Sequence, residues 1–110
     1  MESIKKSNFT ILRDEKDNVK DFANFLLSII DKFSKENLII DIEKYGQLTL
    51  EELLAFLKPS VEHYNNNKSF IIINDAINID DVPEELRLVP TMQEAEDMIQ
   101  MEEIERDLGF

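Results

Sequence analysis

The sequence predicts an α/β fold in which a small mixed β-sheet carries amphipathic helices packed mainly on one of its faces. Apolar runs of strand length recur at 38–42, where Asp41 is the one polar residue, and at 70–73, and such runs are typical of strands covered on both faces. Around them, apolar residues recur at three- and four-residue steps, as in amphipathic helices. Strands that alternate with helices indicate right-handed crossover connections. Because 110 residues suit one domain, we expect 1–110 to form a single unit.

The N-terminal part of the chain predicts one strand and one helix. Residues 9–12 (FTIL) have the aromatic and β-branched content of a strand and end at a polar stretch. An amphipathic helix of about five turns follows, with Asp17 or Asn18 placed to cap it. Its apolar stripe consists of Val19, Phe22, Ala23, Leu26, Ile29, Ile30 and Phe33.

A second helix is predicted between the two apolar strands. Thr49 and Glu52 have the spacing of a capping box, and leucines at helical spacing follow them. Pro59 lies inside this pattern and has no amide hydrogen to donate. We therefore expect it to kink the helix near residues 55–56 or to restart the helix after Lys58.

The C-terminal third of the chain predicts a loop, a strand and a helix. Residues 75–85 are polar and contain Pro83, which favours a loop with at most one helical turn. Residues 86–89 (LRLV) predict a last short strand. Thr91 and Glu94 repeat the capping-box spacing and predict a closing helix, of which 101–110 would be an acidic extension.

The charge of the chain is strongly acidic and unevenly placed. Asp and Glu number 24 against 12 Lys and Arg, which makes the net charge −12. Residues 1–68 carry only −2 of this charge, whereas 69–110 carry −10. Such acidity disfavours nucleic acid as a partner, because a polyanion is repelled, and it favours a protein with a basic surface. The alternative is a solvated acidic helix face that only keeps the protein soluble.

The sequence lacks cysteine, a long apolar run and a signal-peptide pattern, which favours a cytoplasmic location. The chain has no cysteine, which excludes disulfides, thiolate catalysis and cysteine-ligated metals. No apolar run approaches the roughly 20 residues of a membrane span. Residues 1–6 lack the apolar core of a signal peptide. We therefore expect a cytoplasmic protein that does not bind membranes.

The residue inventory contains no recognisable catalytic or metal-binding pattern. His63 is the one histidine, whereas metallo-hydrolases need several imidazoles or a dense mixed ligand set. No Gly-x-Ser-x-Gly turn is present. We expect His63 to lie at the surface of the second helix, and we expect neither a metal nor a cofactor. The catalytic alternative is a carboxylate-based or metal-dependent site at the strand end that precedes Asp75, Asp80 and Asp81.

Four segments follow one another in a recognisable order along the chain: the strand 38–42 (LIIDI), the leucine-rich helix after it, the strand 70–74 (FIIIN) and the strand-to-helix ending 89–95 (VPTMQEA). In this order they resemble the STAS domain family of bacterial anti-sigma-factor antagonists. The acidic tail 101–106 is similar to the extension of short stand-alone bacterial members. The resemblance implies a STAS-like fold and a non-catalytic regulatory role, with an anti-sigma factor or a kinase-like regulator as partner. The connection 76–85 departs from the family, which usually has a full helix there.

The phosphoserine switch of that family is altered in this chain. In the family, a serine within an Asp-Ser-Ser-Gly motif at the start of the second helix is phosphorylated by the partner kinase. Counting forward from Asp41 places the motif on 49–52 and the serine position on Glu51. A carboxylate cannot be phosphorylated there, and its charge resembles a weak, permanent version of the phosphate. The alternative is that Glu51 and Glu52 only complement the helix dipole.

Two surfaces are predicted to bind a partner. The first is the edge at the start of the second helix, which comprises Lys44, Tyr45, Gly46, Gln47, Thr49, Glu51 and Glu52. Thr49 is there either a replacement phosphosite or simply the N-cap. The second surface belongs to an adaptor or oligomer subunit, a homodimer included, that docks through an apolar stripe on the C-terminal helix. That stripe comprises Met98, Met101, Ile104, Leu108 and Phe110. The alternative is that these residues pack on the protein's own sheet.

Overall fold

The elements of the fold alternate between strands and helices along the chain. The computed structural model describes residues 1–77 and 79–109, apart from the side chain of Ile79. The strands are β1 (Glu2–Lys5), β2 (Thr10–Arg13), β3 (Leu38–Asp41), β4 (Phe70–Ile73) and β5 (Arg87–Val89). The helices are α1 (Val19–Ile29), α2 (Leu50–Leu54), α3 (Leu57–Asn65) and α4 (Met92–Asp107). Short 3-10 turns occupy Ile30–Phe33, Glu43–Tyr45 and Ile79–Asp81.

The described strands form one mixed sheet in the order β1-β2-β3-β4-β5, which confirms the predicted α/β class. β1 and β2 are antiparallel, and each later pair is parallel. The strand β1 was missed by the sequence prediction. Ile4 is its one apolar residue and pairs with Ile11, whereas its other side chains are exposed. A strand at the edge of a sheet needs so little apolar content that its formation depends on the neighbouring strand.

The two faces of the sheet bury two separate apolar cores. Leu38 and Ile40 point to the face covered by α1, α2 and α3, whereas Ile39 points to the face covered by α4. β4 alternates in the same way between the two cores. Residues at every position of β4 are therefore buried, which is why its sequence is continuously apolar. Burial of each such side chain contributes roughly 1.5–3 kcal/mol.

The predicted interruption of the second helix is confirmed. α2 ends at Leu54 and α3 begins at Leu57, so that Ala55 and Phe56 form the break. Pro59 is the third residue of α3, where its missing amide hydrogen costs no helical bond. The break allows Phe56 to turn fully into the core.

The parallel strands β2, β3 and β4 give the sheet two distinct edges. The amino edge is where β2, β3 and β4 begin, and the carboxyl edge is where they end. Since α4 returns antiparallel to the strands after β5, its second half reaches the amino edge. Among the described residues, no helix is long and apolar enough to cross a membrane.

Candidate functional site

The start of α2 follows the carboxyl edge of the sheet. Thr49 caps the helix: its Oγ1 accepts a hydrogen bond from the Glu52 amide at 3.1 Å, and Glu52 Oε1 accepts one from the Thr49 amide at 2.9 Å. This reciprocal pair confirms the predicted capping box. The exposed Thr49 hydroxyl is therefore already engaged within the helix cap.

Glu51 points into solvent, with 82% of its side chain exposed. Its Oε1 accepts a hydrogen bond from Lys20 Nζ of α1 at 2.8 Å. This contact lowers the pKa of Glu51, because the ammonium stabilises the carboxylate. The negative charge predicted at the helix start is thus held in place and partly neutralised by α1.

Lys44 and Tyr45 lie on the short 3-10 turn after β3 and reach back to the loop between β2 and α1. The Tyr45 hydroxyl donates to the Asp14 carboxylate, and Lys44 Nζ donates to the Lys16 carbonyl. Burial and the Asp14 carboxylate raise the pKa of Tyr45, so its hydroxyl stays protonated. Both side chains are directed at the protein's own loop, whereas Gln47 is exposed.

Asn74 fixes this loop from the end of β4, a role that sequence reasoning missed. The residue is 2% exposed, and its Nδ2 donates to the carbonyls of Ile42 at 3.3 Å and Gly46 at 2.8 Å. The φ of +61° at Gly46 is a conformation that glycine adopts without strain. The available signal was an asparagine directly after an apolar strand. A shallow cleft of about 170 Å³ adjoins the loop, lined by Gln47, Leu48, Leu50, Leu53, Ala76, Ile77 and Asp81.

The apolar residues of α4 change direction along the helix. Ala95 and Ile99 are fully buried against the sheet. From there on, the side chains of the predicted stripe face solvent: Met101 is 61% exposed, Ile104 59% and Leu108 66%. Packing on the protein's own sheet therefore accounts for the first half of the helix only. The predicted contribution of Phe110 lies outside the described residues.

Polar residues hold the second half of α4 on the sheet. The Glu102 carboxylate accepts hydrogen bonds from the hydroxyls of Tyr64 at 2.9 Å and Ser69 at 2.5 Å. Arg87 Nε lies 3.5 Å from the same carboxylate, and the guanidinium sits 4.1 Å from the centre of the Tyr64 ring. Only 15% of the Glu102 side chain is exposed.

Two further residues of α4 contact the amino edge of the sheet. Glu103 accepts a hydrogen bond from Asn37 Nδ2 at 2.7 Å. Arg106 Nη2 donates to Ser69 Oγ at 3.2 Å and approaches Asn37 Oδ1 at 3.4 Å. Asn37 and Ser69 directly precede β3 and β4 and are almost fully buried. The inward side of this helix half is therefore polar, which leaves its apolar residues on the outward side.

The prediction that His63 lies at the surface is wrong. Its side chain is fully buried, and its ring packs edge-on against Phe70 with 6.2 Å between centroids. Nε2 lies 2.6 Å from the Glu36 carbonyl and must carry the proton, since a carbonyl only accepts. Nδ1 is buried and has no hydrogen-bond partner among the described residues. The helical pattern around His63 could not reveal its burial, because the buried side of α3 includes polar residues. Ser60 and His63 both lie on that side.

We expect His63 to make the protein less stable at mildly acidic pH. Burial, followed by the charges of Lys68 and Arg106, lowers the pKa of His63, although the contact with Glu36 opposes this. Below about pH 6.5 the unfolded chain therefore binds a proton that the folded chain excludes. The free energy of unfolding should fall by up to about 1.4 kcal/mol per pH unit from this group.

Urea titrations of the wild type and His63→Gln between pH 7.5 and 5.5 measure this effect. As the pH falls, the free energy of unfolding of the wild type should decrease more than that of His63→Gln. Parallel pH profiles would show that His63 does not titrate differently in the folded state. Glu62→Gln, an exposed change on the same helix, is the control for general acid effects.

The acidic residues that follow β4 were the predicted catalytic alternative. Asp75, Asp80 and Asp81 are exposed. Within 1–77 and 79–109, no group of three or more His, Asp or Glu side chains is arranged to hold a metal ion. At the opposite edge of the sheet, by contrast, the Glu102 carboxylate of α4 is held by the hydroxyls of Tyr64 and Ser69.

Comparison with known proteins adds no family to these observations. Neither a scan against protein-family models nor a search of curated proteins finds a match to this chain. The STAS resemblance therefore depends on the sequence segments alone.

Proposed function

We propose that this protein is a non-catalytic interaction domain that binds a partner protein through the outward side of the second half of α4. We call this surface the α4 docking face and define it by Met101, Ile104 and Leu108. The supporting observation is the reversal within α4, where polar residues face the sheet and apolar residues face solvent. Single exposed apolar residues are common on protein surfaces. Three of them at successive turns of one helix are typical of helix-in-groove recognition.

The charges around the α4 docking face support a partner with a basic rim. Asp97, Glu105 and Asp107 are exposed residues of the same helix. At helical spacing, Asp97 lies one turn before Met101, and Glu105 and Asp107 lie beside Ile104 and Leu108. An apolar groove bordered by lysines or arginines would complement this surface in both shape and charge.

A pair of double variants tests this proposal. Ile104→Ser with Leu108→Ser removes apolar surface from the α4 docking face, and Leu54→Ser with Val61→Ser removes a smaller exposed apolar surface from α2 and α3. Partners recovered from the native host on the tagged wild-type chain are quantified by mass spectrometry, and the mass in solution is measured by light scattering. We expect about a tenfold loss of one recovered partner with the α4 variant alone.

Two outcomes would contradict the role of this face. Retention of every partner and of the solution mass by the α4 variant would exclude it as the binding surface. Equal loss in both variants would attribute the binding to general surface hydrophobicity. Circular dichroism of each variant verifies that the fold is intact.

A second candidate function is the STAS-like regulatory role in the cytoplasm, with docking at the start of α2. The exposed Glu51 charge, next to Thr49 at a helix N-terminus, supports it. Glu51→Lys should abolish binding of an anti-sigma factor or kinase-like regulator, whereas Glu62→Lys makes the same charge change on α3 and should not. Unchanged binding by Glu51→Lys would exclude this edge. Phosphate on Thr49 in the native protein would add a switch, because it would remove the hydrogen that Thr49 Oγ1 donates to Glu52 and place negative charge next to that carboxylate.

A further inference from the structure

The amino edge of the sheet carries a cleft that none of the sequence patterns indicated. It has a volume of about 290 Å³ and lies between the β1–β2 turn, the segment before β3, the segment before β4 and the second half of α4. Four lysines line it: Lys5, Lys6, Lys35 and Lys68. This concentration of positive charge is unexpected in a chain with a net charge of −12.

The four lysines of the cleft are not neutralised by neighbouring carboxylates. Among the described residues, no Asp or Glu oxygen lies within 4.0 Å of any of their ammonium groups. Of the five lysines outside the cleft, Lys20 and Lys44 have acidic partners, whereas the other three also lack one within the described part of the chain. The cleft therefore differs from the rest of the surface in bringing four lysines together. The four lysines outnumber the two carboxylates that line the cleft, Glu36 and Glu103, so the cleft has an excess of positive charge.

The two carboxylates that line the cleft are bound to neutral donors instead. Glu36 accepts a hydrogen bond from the buried Thr10 hydroxyl at 2.5 Å, and Glu103 accepts one from Asn37 Nδ2 at 2.7 Å. Asn37 itself is 4% exposed and also donates to the Asn8 carbonyl at 3.1 Å. These part-buried polar contacts hold the two carboxylates that line the cleft, and neither of them forms an ion pair with its lysines.

Positive charges near the cleft also act on the buried His63. Lys68 and Arg106 both lower the pKa of His63, in addition to the larger effect of burial, whereas Glu36 raises it. The guanidinium of Arg106 contacts Ser69 and Asn37, and Asn37 lines the cleft. Arg106 therefore adds a positive charge next to the cleft, where Glu102 and Glu103 are the neighbouring carboxylates.

We propose that this cleft binds a compact anion with two or more phosphate groups. Lysine ammonium groups bind phosphate as point charges, and several of them on flexible stems can follow an extended phosphate chain. The volume of the cleft is at the lower limit for small-molecule sites. Ser7 and Asn8 at the β1–β2 turn provide neutral donors at the same opening.

The compactness of the ligand follows from the charge of the rest of the protein. At physiological salt, charges act over about 8 Å, so a small anion inside the cleft responds to the lysines and little else. A long nucleic acid would extend beyond the cleft and meet the acidic surface, where it is repelled. The proposed ligand is thus separate from the partner of the α4 docking face, and either proposal can fail alone.

Calorimetric titration of the full chain with inorganic tripolyphosphate tests the proposal. Lys6→Gln, Lys35→Gln and Lys68→Gln are combined in one variant, and Lys16→Gln, Lys32→Gln and Lys58→Gln in a matched control with the same change of net charge. We expect one tripolyphosphate per chain, about tenfold weaker binding in the cleft variant and wild-type binding in the control. Adenosine triphosphate should bind within about threefold of tripolyphosphate, because recognition is of the phosphate chain.

Three results would overturn this inference. They are the absence of saturable binding to the wild type, an equal loss of affinity in both lysine variants, and tighter binding of a single-stranded oligonucleotide than of tripolyphosphate. All variants are compared by thermal unfolding without ligand, so that a folding defect is recognised. A Glu103→Gln variant gives an independent positive test, since removing a carboxylate from the cleft should tighten tripolyphosphate binding.

Discussion

Replacing Glu102 with leucine is expected to lower the free energy of unfolding by about 3 kcal/mol. The substitution removes the acceptor of the Tyr64 and Ser69 hydroxyls and the ion-pair partner of Arg87. Ser69 is fully buried, so water cannot replace its lost partner without local opening of the structure. For a domain of this size the midpoint of thermal unfolding should fall by roughly 10 °C.

Glu105→Leu provides the control for this prediction. Glu105 is exposed on the same helix, and the same substitution there should change the free energy of unfolding by less than about 0.5 kcal/mol. Equal effects at both positions would show that Glu102 acts through helix propensity or net charge and does not anchor α4. Because Glu102 positions the second half of α4, its loss should also weaken partner binding at the α4 docking face.

Phe56→Ala is expected to have a larger effect on stability, about 3–5 kcal/mol. The ring fills the core at the break between α2 and α3 and meets Phe22 of α1 edge-on, with 6.2 Å between centroids. Truncation leaves a cavity where these helices meet the sheet. Urea titration of both proteins measures the change.

Phe25→Ala is the matched control, because it removes the same side chain from α1 where 47% of the residue is exposed. We expect a cost below about 1 kcal/mol there. If both substitutions cost the same, the core at the helix break does not depend on Phe56. Phe56 lies just after the end of α2, so the variant also reports whether the second candidate docking edge requires an intact core.

Local patterns were sufficient to predict several elements of the fold. The apolar runs at β3 and β4, the capping box of Thr49 and Glu52 and the helix break before Pro59 all involve interactions between residues close in sequence. A strand that is buried on both faces is apolar along its length, and a capped helix carries capping residues at a fixed spacing, so both are recognisable within one segment of sequence. The sequence also predicted that apolar residues extend to the end of the C-terminal helix.

The structure decided which side of each segment meets the rest of the chain. β1 pairs with β2 although its own residues are mostly polar, and His63 is buried although its neighbours are hydrophilic. In α4 the sequence placed Met101, Ile104 and Leu108 on one side but could not show that this side faces solvent. That orientation depends on Tyr64, Ser69 and Arg87, which are distant in sequence and draw Glu102 inward.

What the sequence by itself determined about this protein is its α/β class, most of its elements and its acidic C-terminal third. The tertiary structure alone decided the lysine cleft and the α4 docking face. The lysine cleft collects residues from four separate segments of the chain, and the α4 docking face exists because a polar network outcompetes apolar packing at the amino edge. The physical reason is the same in both cases. Helical and strand periodicity arises within a segment, whereas the pairing or isolation of a charge depends on groups that only folding brings together.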